Sequence, residues 1–291
     1  MEMVIYIALV LFGLCLGSFA GATVWRLRAR QLRQDKKVGE FVDAKEYARL
    51  KKLTKHSLTK DRSVCLHCGY ELRWYDLIPL VSWLSLGGKC RQCRKRIGYL
   101  EPLIELGTAL YFVASYAFWP FLLDSPIAIA GLVIWLIAGV VFAILFAYDA
   151  KWYLLPDSMN FLLIAVGIAS VVQTALATGD VLPVTLNALA AVGIMAGIYF
   201  VLYVVSKGRW IGFGDIKLGV GLGLLLGDWT FALLALFLAN LIGCLVIIPL
   251  MVAKKVKRTS TIPFGPLLIV GTIIAQLFGA AILGWYTTLT F

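Results

Sequence analysis

The chain has 291 residues, 61% of them hydrophobic and only 15% charged, with a formal net charge of +11. A soluble domain has about 45–50% apolar and about 25% charged residues. This composition therefore excludes an ordinary cytosolic globule, a disordered tail and a secreted disulfide scaffold. It points to an all-α polytopic membrane protein, because backbone polar groups must be satisfied within the bilayer and the apolar runs far exceed the about 9–11 residues of a barrel strand.

The first apolar run, 3–25, carries no charge, and a basic cluster follows it rather than precedes it. A cleavable signal peptide has the opposite order, so a retained helix is expected. A polar stretch covers 26–101. Further apolar runs occupy 102–123, 126–148, 158–178, 181–206, 229–253 and 263–288. Each is long enough to cross a core of roughly 30 Å. A shorter run, 218–227, is ambiguous on length alone.

The basic residues resolve it. Nineteen of the 27 lie in 26–100; the others are Lys151, then Lys207, Arg209 and Lys217, then Lys254, Lys255, Lys257 and Arg258. If 218–227 crosses, with its helix beginning before Asp215 or the bilayer thinning around it, every basic group falls on one side, as the positive-inside rule requires. The expectation is eight transmembrane helices with both termini outside. It divides the chain into a first helix (1–25), a basic cytoplasmic insert (26–101) and a seven-helix membrane domain (102–291). Gly212, Gly214, Gly219, Gly221, Gly223 and Gly227 make the short helix small-faced, for close packing or as room for a peptide. No internal repeat is evident.

In the insert, 26–60 reads as a polar helix with Val42, Tyr47, Leu50 and Leu53 as a weak apolar stripe. Its charge suits anionic lipid headgroups. No nucleic-acid-binding fold accompanies that charge, so no nucleic-acid partner is expected. Cys65-Leu-His-Cys68 and Cys90-Arg-Gln-Cys93 can supply four thiolates in a tetrahedron, the set that zinc takes. A structural zinc would staple a small polar insert in a reducing compartment, where disulfides are the weaker alternative. Lys89, Arg91, Arg94 and Arg73 are expected to lower the thiol pKa values. His67 is expected to face solvent. Cys15 and Cys244 fall inside apolar runs and are expected to be packing residues.

Three carboxylates fall at one membrane edge. Asp149 ends a run in Tyr148-Asp149-Ala150-Lys151, Asp157 follows Leu154-Leu155-Pro156, and Asp215 sits in Gly212-Phe213-Gly214-Asp215-Ile216-Lys217. Ionisable groups in a membrane bundle are functional candidates. Asp157 reads as a cap for a helix starting near Ser158. Asp149 with Lys151, and Asp215 with Lys217, would be weak surface pairs. Two facing aspartates that share a proton give peptide hydrolysis without a Ser, Cys or zinc nucleophile. Both histidines, His56 and His67, lie in the insert, which excludes histidine-dependent hydrolase chemistry in the bundle.

Taken together, these residues resemble the type IV prepilin peptidases, or leader peptidase/N-methyltransferases. The likeness covers nearly the whole chain: Gly17-Ser18-Phe19 with Arg26-Leu27, the segments 62–68, 74–84 and 88–93, Asp149 with Leu154-Leu155-Pro156-Asp157, and the GxGD of 212–215. The chain departs from the family pattern at Ala20-Gly21-Ala22, at Leu66 and at Leu100-Glu101. The resemblance implies an eight-helix aspartic protease of the bacterial inner membrane, with Asp149 and Asp215 catalytic and Gly212, Gly214, Asp157 and Lys217 supporting. It implies cleavage of prepilins or pseudopilins of pilus, type II secretion or competence machines after a short basic leader, typically at a Gly–Phe bond. It also implies methylation of the new N-terminus with S-adenosylmethionine in many members. Trp74, Tyr75 and Trp83 would wall that cofactor's pocket, with Asp76 and Glu105 as anchors. The rival classes are a transporter with a zinc-binding insert, which would place its acids near mid-membrane, and an inactive assembly scaffold.

Overall fold

A computed structural model describes residues 2–54, 62–255 and 262–290. His56, Asp61, Lys257 and Arg258 lie outside the described residues. Among those described, every named element is helical, and the only β pairing consists of two isolated bridges. Among the described residues, six helical spans are long and apolar enough to cross a membrane. They are α1 (Glu2–Val38), α5 (Pro126–Trp152), α6 (Asp157–Thr178), the continuous span Val181–Ser206, α10 (Trp229–Val252) and α11 (Gly265–Thr290). The span Val181–Ser206 comprises α7 (Val181–Val192) and α8 (Ile198–Ser206), joined through a π turn at Gly193–Gly197. The two remaining expected spans are also helices: α4 (Leu100–Ala117), which carries two glutamates, and α9 (Phe213–Leu226), only 14 residues long.

The chain falls into two compact units, Met1–Val113 and Ala114–Phe291. In the first, α1 continues past its apolar run into the basic segment, because no Pro or Gly interrupts it before Gly39 (φ 84°). Rather than one helix to residue 60, the chain then turns into the short α2 (Ala44–Leu50), which Asp43 caps by accepting from the Lys45 N–H at 2.8 Å. The apolar stripe packs back on α1. Leu50 and Leu53 are buried against Ala29 and Leu32, with Val42 and Tyr47 alongside. Helix α4 ends at Ala117, earlier than the apolar run, since Trp119 precedes Pro120 and the residue before proline resists the helical conformation.

In the second unit, α9 is sandwiched between α6 and α7. A Cβ on Gly221 would lie 2.8 Å from the Leu163 side chain, and one on Gly223 2.8 Å from the Val192 backbone. These glycines therefore serve helix packing rather than substrate space. Cys15 and Cys244, expected to pack, are exposed on α1 and α10. An exposed apolar thiol on a spanning helix needs no protein partner, because lipid covers it.

Candidate active site and metal centre

Asp149 lies in the last turn of α5. The helix stops at Tyr153, whose left-handed backbone (φ 56°) returns its N–H to the Asp149 carbonyl at 2.8 Å. Pro156 then opens α6, so only residues 153–156 separate the two helices. The Asp149 side chain is buried, and its Oδ2 accepts a hydrogen bond from the Gly265 N–H at 2.9 Å. Gly265 begins α11, whose first N–H groups have no partner within the helix. Asp215 is half-buried in the first turn of α9, and its Oδ2 accepts from the Gly212 N–H at 3.3 Å. The two carboxylates are close enough for their charges to act on each other.

Leu155 packs against both sides of this arrangement. Its Cβ would lie 3.1 Å from a Cβ on Gly214, and its Cδ2 3.4 Å from one on Gly265. Beneath it, fully buried Asn160 donates from Nδ2 to the Gly214 carbonyl at 3.4 Å and so holds the turn that carries Asp215. Tyr199 of α8 packs edge-on against Phe264, ring centroids 5.4 Å apart. Its buried hydroxyl lies beside the Asn240 side chain, and the Asp215 charge bears on it.

Asp157 is placed differently from expectation. Helix α6 begins at Asp157 itself, Pro156 is the cap residue, and no side chain caps it. Pro156 supplies the pre-set backbone angle, leaving the carboxylate free to pair with Lys217 at 2.7 Å. The ion pair of Lys217 is thus with Asp157, across α6 and α9, rather than with Asp215. Lys151 lies over the Trp152 ring, 4.9 Å from its centroid. Gly265, Asn160 and Tyr199 escape a reading of the sequence, and Leu155 is legible there only as part of the motif at 154–157. Asn160, a buried amide inside an apolar run, carries the one signal that could have singled it out.

In the first unit the four cysteines converge. Their sulfurs all lie within 4.8 Å of one another, and Cys65 Sγ is 3.9 Å from Cys93 Sγ. Four thiolates at about 2.3 Å from one zinc ion stand about 3.8 Å apart, so the set fits such an ion. His67 is exposed and outside the cluster, as expected. The two CxxC pairs are geometric copies. Gly69 N–H donates to the Cys65 carbonyl and Cys65 N–H to that of Tyr70; Arg94 and Cys90 repeat this with Cys90 and Lys95. Gly69 and Arg94 are both left-handed, and the bridges Val64–Glu71 and Lys89–Arg96 close both loops. This local repeat is invisible in the sequence because only the cysteines are shared.

The basic neighbours do not lower every thiol. Arg73 donates to the Tyr75 hydroxyl, and Arg91 pairs with Asp76 at 2.7 Å. The Tyr70 backbone acts to lower the pKa of Cys68, but burial and the crowded Cys65 and Cys93 thiols prevail and push it up to about 11. Asp76 and Glu105, the expected cofactor anchors, are both engaged: Asp76 by Arg91, and Glu105 by the Leu80 N–H at 2.8 Å. Trp83 packs on Tyr99 instead of lining a pocket with Trp74 and Tyr75. The groove of the insert, ≈ 520 Å³, is lined by Arg62, Tyr70, Glu71, Arg73, Trp74 and Tyr75, among others.

The six long apolar spans make this a multi-pass membrane protein. The Bacterial Peptidase A24 N-terminal domain model matches residues 11–119, and the Type IV leader peptidase family model matches residues 135–248. Over 280 residues the chain is 31% identical to the prepilin leader peptidase/N-methyltransferase of Pseudomonas aeruginosa, covering 95% of this chain and 91% of that one. It is 32% identical over 269 residues to the type 4 prepilin-like proteins leader peptide-processing enzyme of Escherichia coli O78:H11, covering 90% and 89%. It is 28% identical over 288 residues to the Legionella pneumophila prepilin leader peptidase/N-methyltransferase, covering 97% and 94%. No solved structure matches. The chain belongs to the type IV leader peptidase family, and is thus a peptidase of the inner membrane.

Proposed function

We propose that the chain is a GxGD-type aspartic endopeptidase that removes the short basic leader from type IV prepilins or pseudopilins, with Asp149 and Asp215 as its catalytic pair. The observation that carries this is a pair of carboxylates, in the last turn of α5 and the first turn of α9, within reach of each other's charge and each tethered through one oxygen to a backbone N–H. The tethered oxygens are both Oδ2, which leaves both Oδ1 atoms for water and substrate. One carboxylate takes a proton from water, whose oxygen attacks the scissile carbonyl carbon. The other carboxyl donates its proton to the carbonyl oxygen. The tetrahedral adduct collapses with C–N cleavage, and the leaving amine takes up the proton. Gly212 and Gly214 let the backbone approach Asp215 and Leu155, while Asp157 and Lys217 tie α6 to α9.

Eight crossings, with α4 and α9 added to the six long spans, put the described basic loops and both aspartates on the cytoplasmic side. A zinc ion at Cys65, Cys68, Cys90 and Cys93 has a structural role, since four protein ligands leave no open position. The basic segment rests on anionic headgroups, and no nucleic acid takes part. A transporter or an inactive scaffold does not require two carboxylates within reach of each other's charge at one membrane edge. Incubation with a prepilin, followed by mass measurement of the new N-terminus, tests the assignment.

A second activity, methylation of that N-terminus, is favoured by the groove of the insert. Its volume suits a cofactor. Trp74 and Tyr70 offer aromatic walls, Glu71 a carboxylate, and Arg62 and Arg73 guanidinium groups. S-adenosylmethionine, when bound, supplies the transferable methyl group. Labelled cofactor and cleaved substrate test this separately.

A further inference from the structure

The strongest unexplained feature of the first unit is a buried glutamate. Glu105 of α4 is only 7% exposed, and its Oε2 accepts the backbone N–H of Leu80 at 2.8 Å, with the Ser18 hydroxyl beside it. It also fixes a depth. A Cβ on Gly17 of α1 would lie 2.6 Å from the Glu105 Cα, so the Glu105 backbone and Gly17 share one level, and Leu80 lies within one glutamate side chain and a hydrogen bond of it. Gly17 stands nine residues before Arg26, the first charge after the apolar run. At 1.5 Å per residue that level is about 13 Å below the charged end of the run. A segment held within that reach lies beside the apolar run of α1 rather than beyond its charged end.

We propose that residues 77–86 form a re-entrant loop that dips into the bilayer hydrocarbon beside α1 and α4. The side chains suit it. Leu77, Ile78, Val81 and Leu84 are all exposed, and no residue from 77 to 86 is charged. The backbone suits it as well, because irregular chain at membrane depth must satisfy its own polar groups. Pro79 has no N–H. Leu80 N–H goes to Glu105, Ser82 N–H to Ile78, Leu84 N–H to Leu80, Leu86 N–H to Ser82, and Gly88 N–H to Trp83. The Ser85 hydroxyl donates to the Ser82 carbonyl, and the Trp83 indole to that of Gly98.

The exposed face thus commits to lipid chains. Arg73 and Lys89 stand outside the loop at either end, and Asp76, next to Leu77, is paired with Arg91 at 2.7 Å, so the flanks present net positive charge to an anionic headgroup layer. Glu105 is the positioning residue, since it takes the N–H of Leu80 (φ 57°), the cap residue that precedes the short α3 (Val81–Ser85). None of this depends on the peptidase assignment.

Site-directed spin labelling of the full chain in phospholipid bilayers tests it. The background is Cys15→Ala with Cys244→Ala, and that chain without an added cysteine is the blank. Nitroxides at Val81→Cys and Leu84→Cys are compared with Leu106→Cys, on the exposed face of α4, and with Glu71→Cys in the insert. Collision with oxygen reports lipid, and collision with a water-soluble nickel chelate reports water. The expected result is an oxygen-to-nickel ratio at 81 and 84 that matches 106 and exceeds 71 severalfold. Glu105→Gln, which keeps an acceptor, should preserve that ratio, and Glu105→Leu should lower it severalfold at 84. Ratios at 81 and 84 equal to that at 71 overturn the proposal. So does a ratio that rises only when a prepilin is added, which would make the face a substrate surface.

Discussion

Asp149 Oδ2 accepts a 2.9 Å hydrogen bond from the N–H of Gly265, a residue 116 positions further along the chain. The same oxygen would lie 2.8 Å from any Cβ placed on Gly265. Glycine is therefore required there by close approach of backbone to carboxylate, and the start of α11 sets the rotamer of Asp149. Gly265→Ala should push that carboxylate out of register. Cleavage should fall by about 10²-fold, the cost of a misplacement on the order of 1 Å, while thermal unfolding changes little. Wild-type turnover in a folded Gly265→Ala chain would remove Gly265 from the site.

The Asp157–Lys217 pair joins α6 to α9 with the Asp157 side chain largely exposed and that of Lys217 mostly covered. A half-solvated pair of this kind contributes under about 1 kcal/mol. Asp157→Asn and Lys217→Ala should each leave cleavage within severalfold of wild type. A double-mutant cycle on thermal stability should return a small favourable coupling, where a helix cap would return none. Loss of cleavage comparable to that of the Asp149 variants would put Asp157 in the chemistry.

Zinc loading should release protons, since the crowded Cys68 thiol is protonated at neutral pH before a cation arrives. One equivalent of zinc per chain should be found by elemental analysis, and proton release by titration in weak buffer. Chelation should raise protease sensitivity in 62–96 before it alters cleavage of a prepilin. Purified protein with four reactive thiols and an ordered insert would count against a structural metal.

Methyl transfer should depend on the insert more than cleavage does. Cys90→Ser and Trp74→Ala should each cut incorporation of labelled methyl groups severalfold more than they cut cleavage. Equal losses would place both activities on one surface, and a cleaved product without a methyl group would leave a peptidase alone.

The helices were legible because apolar runs bounded by charge and proline have few other solutions in lipid. The cysteine cluster was legible from two CxxC pairs, and the stripe of Val42, Tyr47, Leu50 and Leu53 from its spacing. What escaped depends on contacts remote in sequence. Gly265 sits in Pro263-Phe264-Gly265-Pro266, which reads as a turn, and nothing local ties it to Asp149. Asp157 after Pro156 carries the pattern of a cap, yet the proline took that position and released the carboxylate to Lys217. Glu105 offered itself as a cofactor anchor because the backbone N–H it satisfies, that of Leu80, is 25 residues away.

The most direct measurement is mass spectrometry of a prepilin incubated with purified wild-type, Asp149→Asn and Asp215→Asn chains in lipid. Wild type should release the leader at one bond. Each variant should insert, run as a single species and give no cleaved product, because a shared-proton pair fails when either member is lost. Cleavage near the wild-type rate by either variant would contradict the assignment of Asp149 and Asp215 as the catalytic pair.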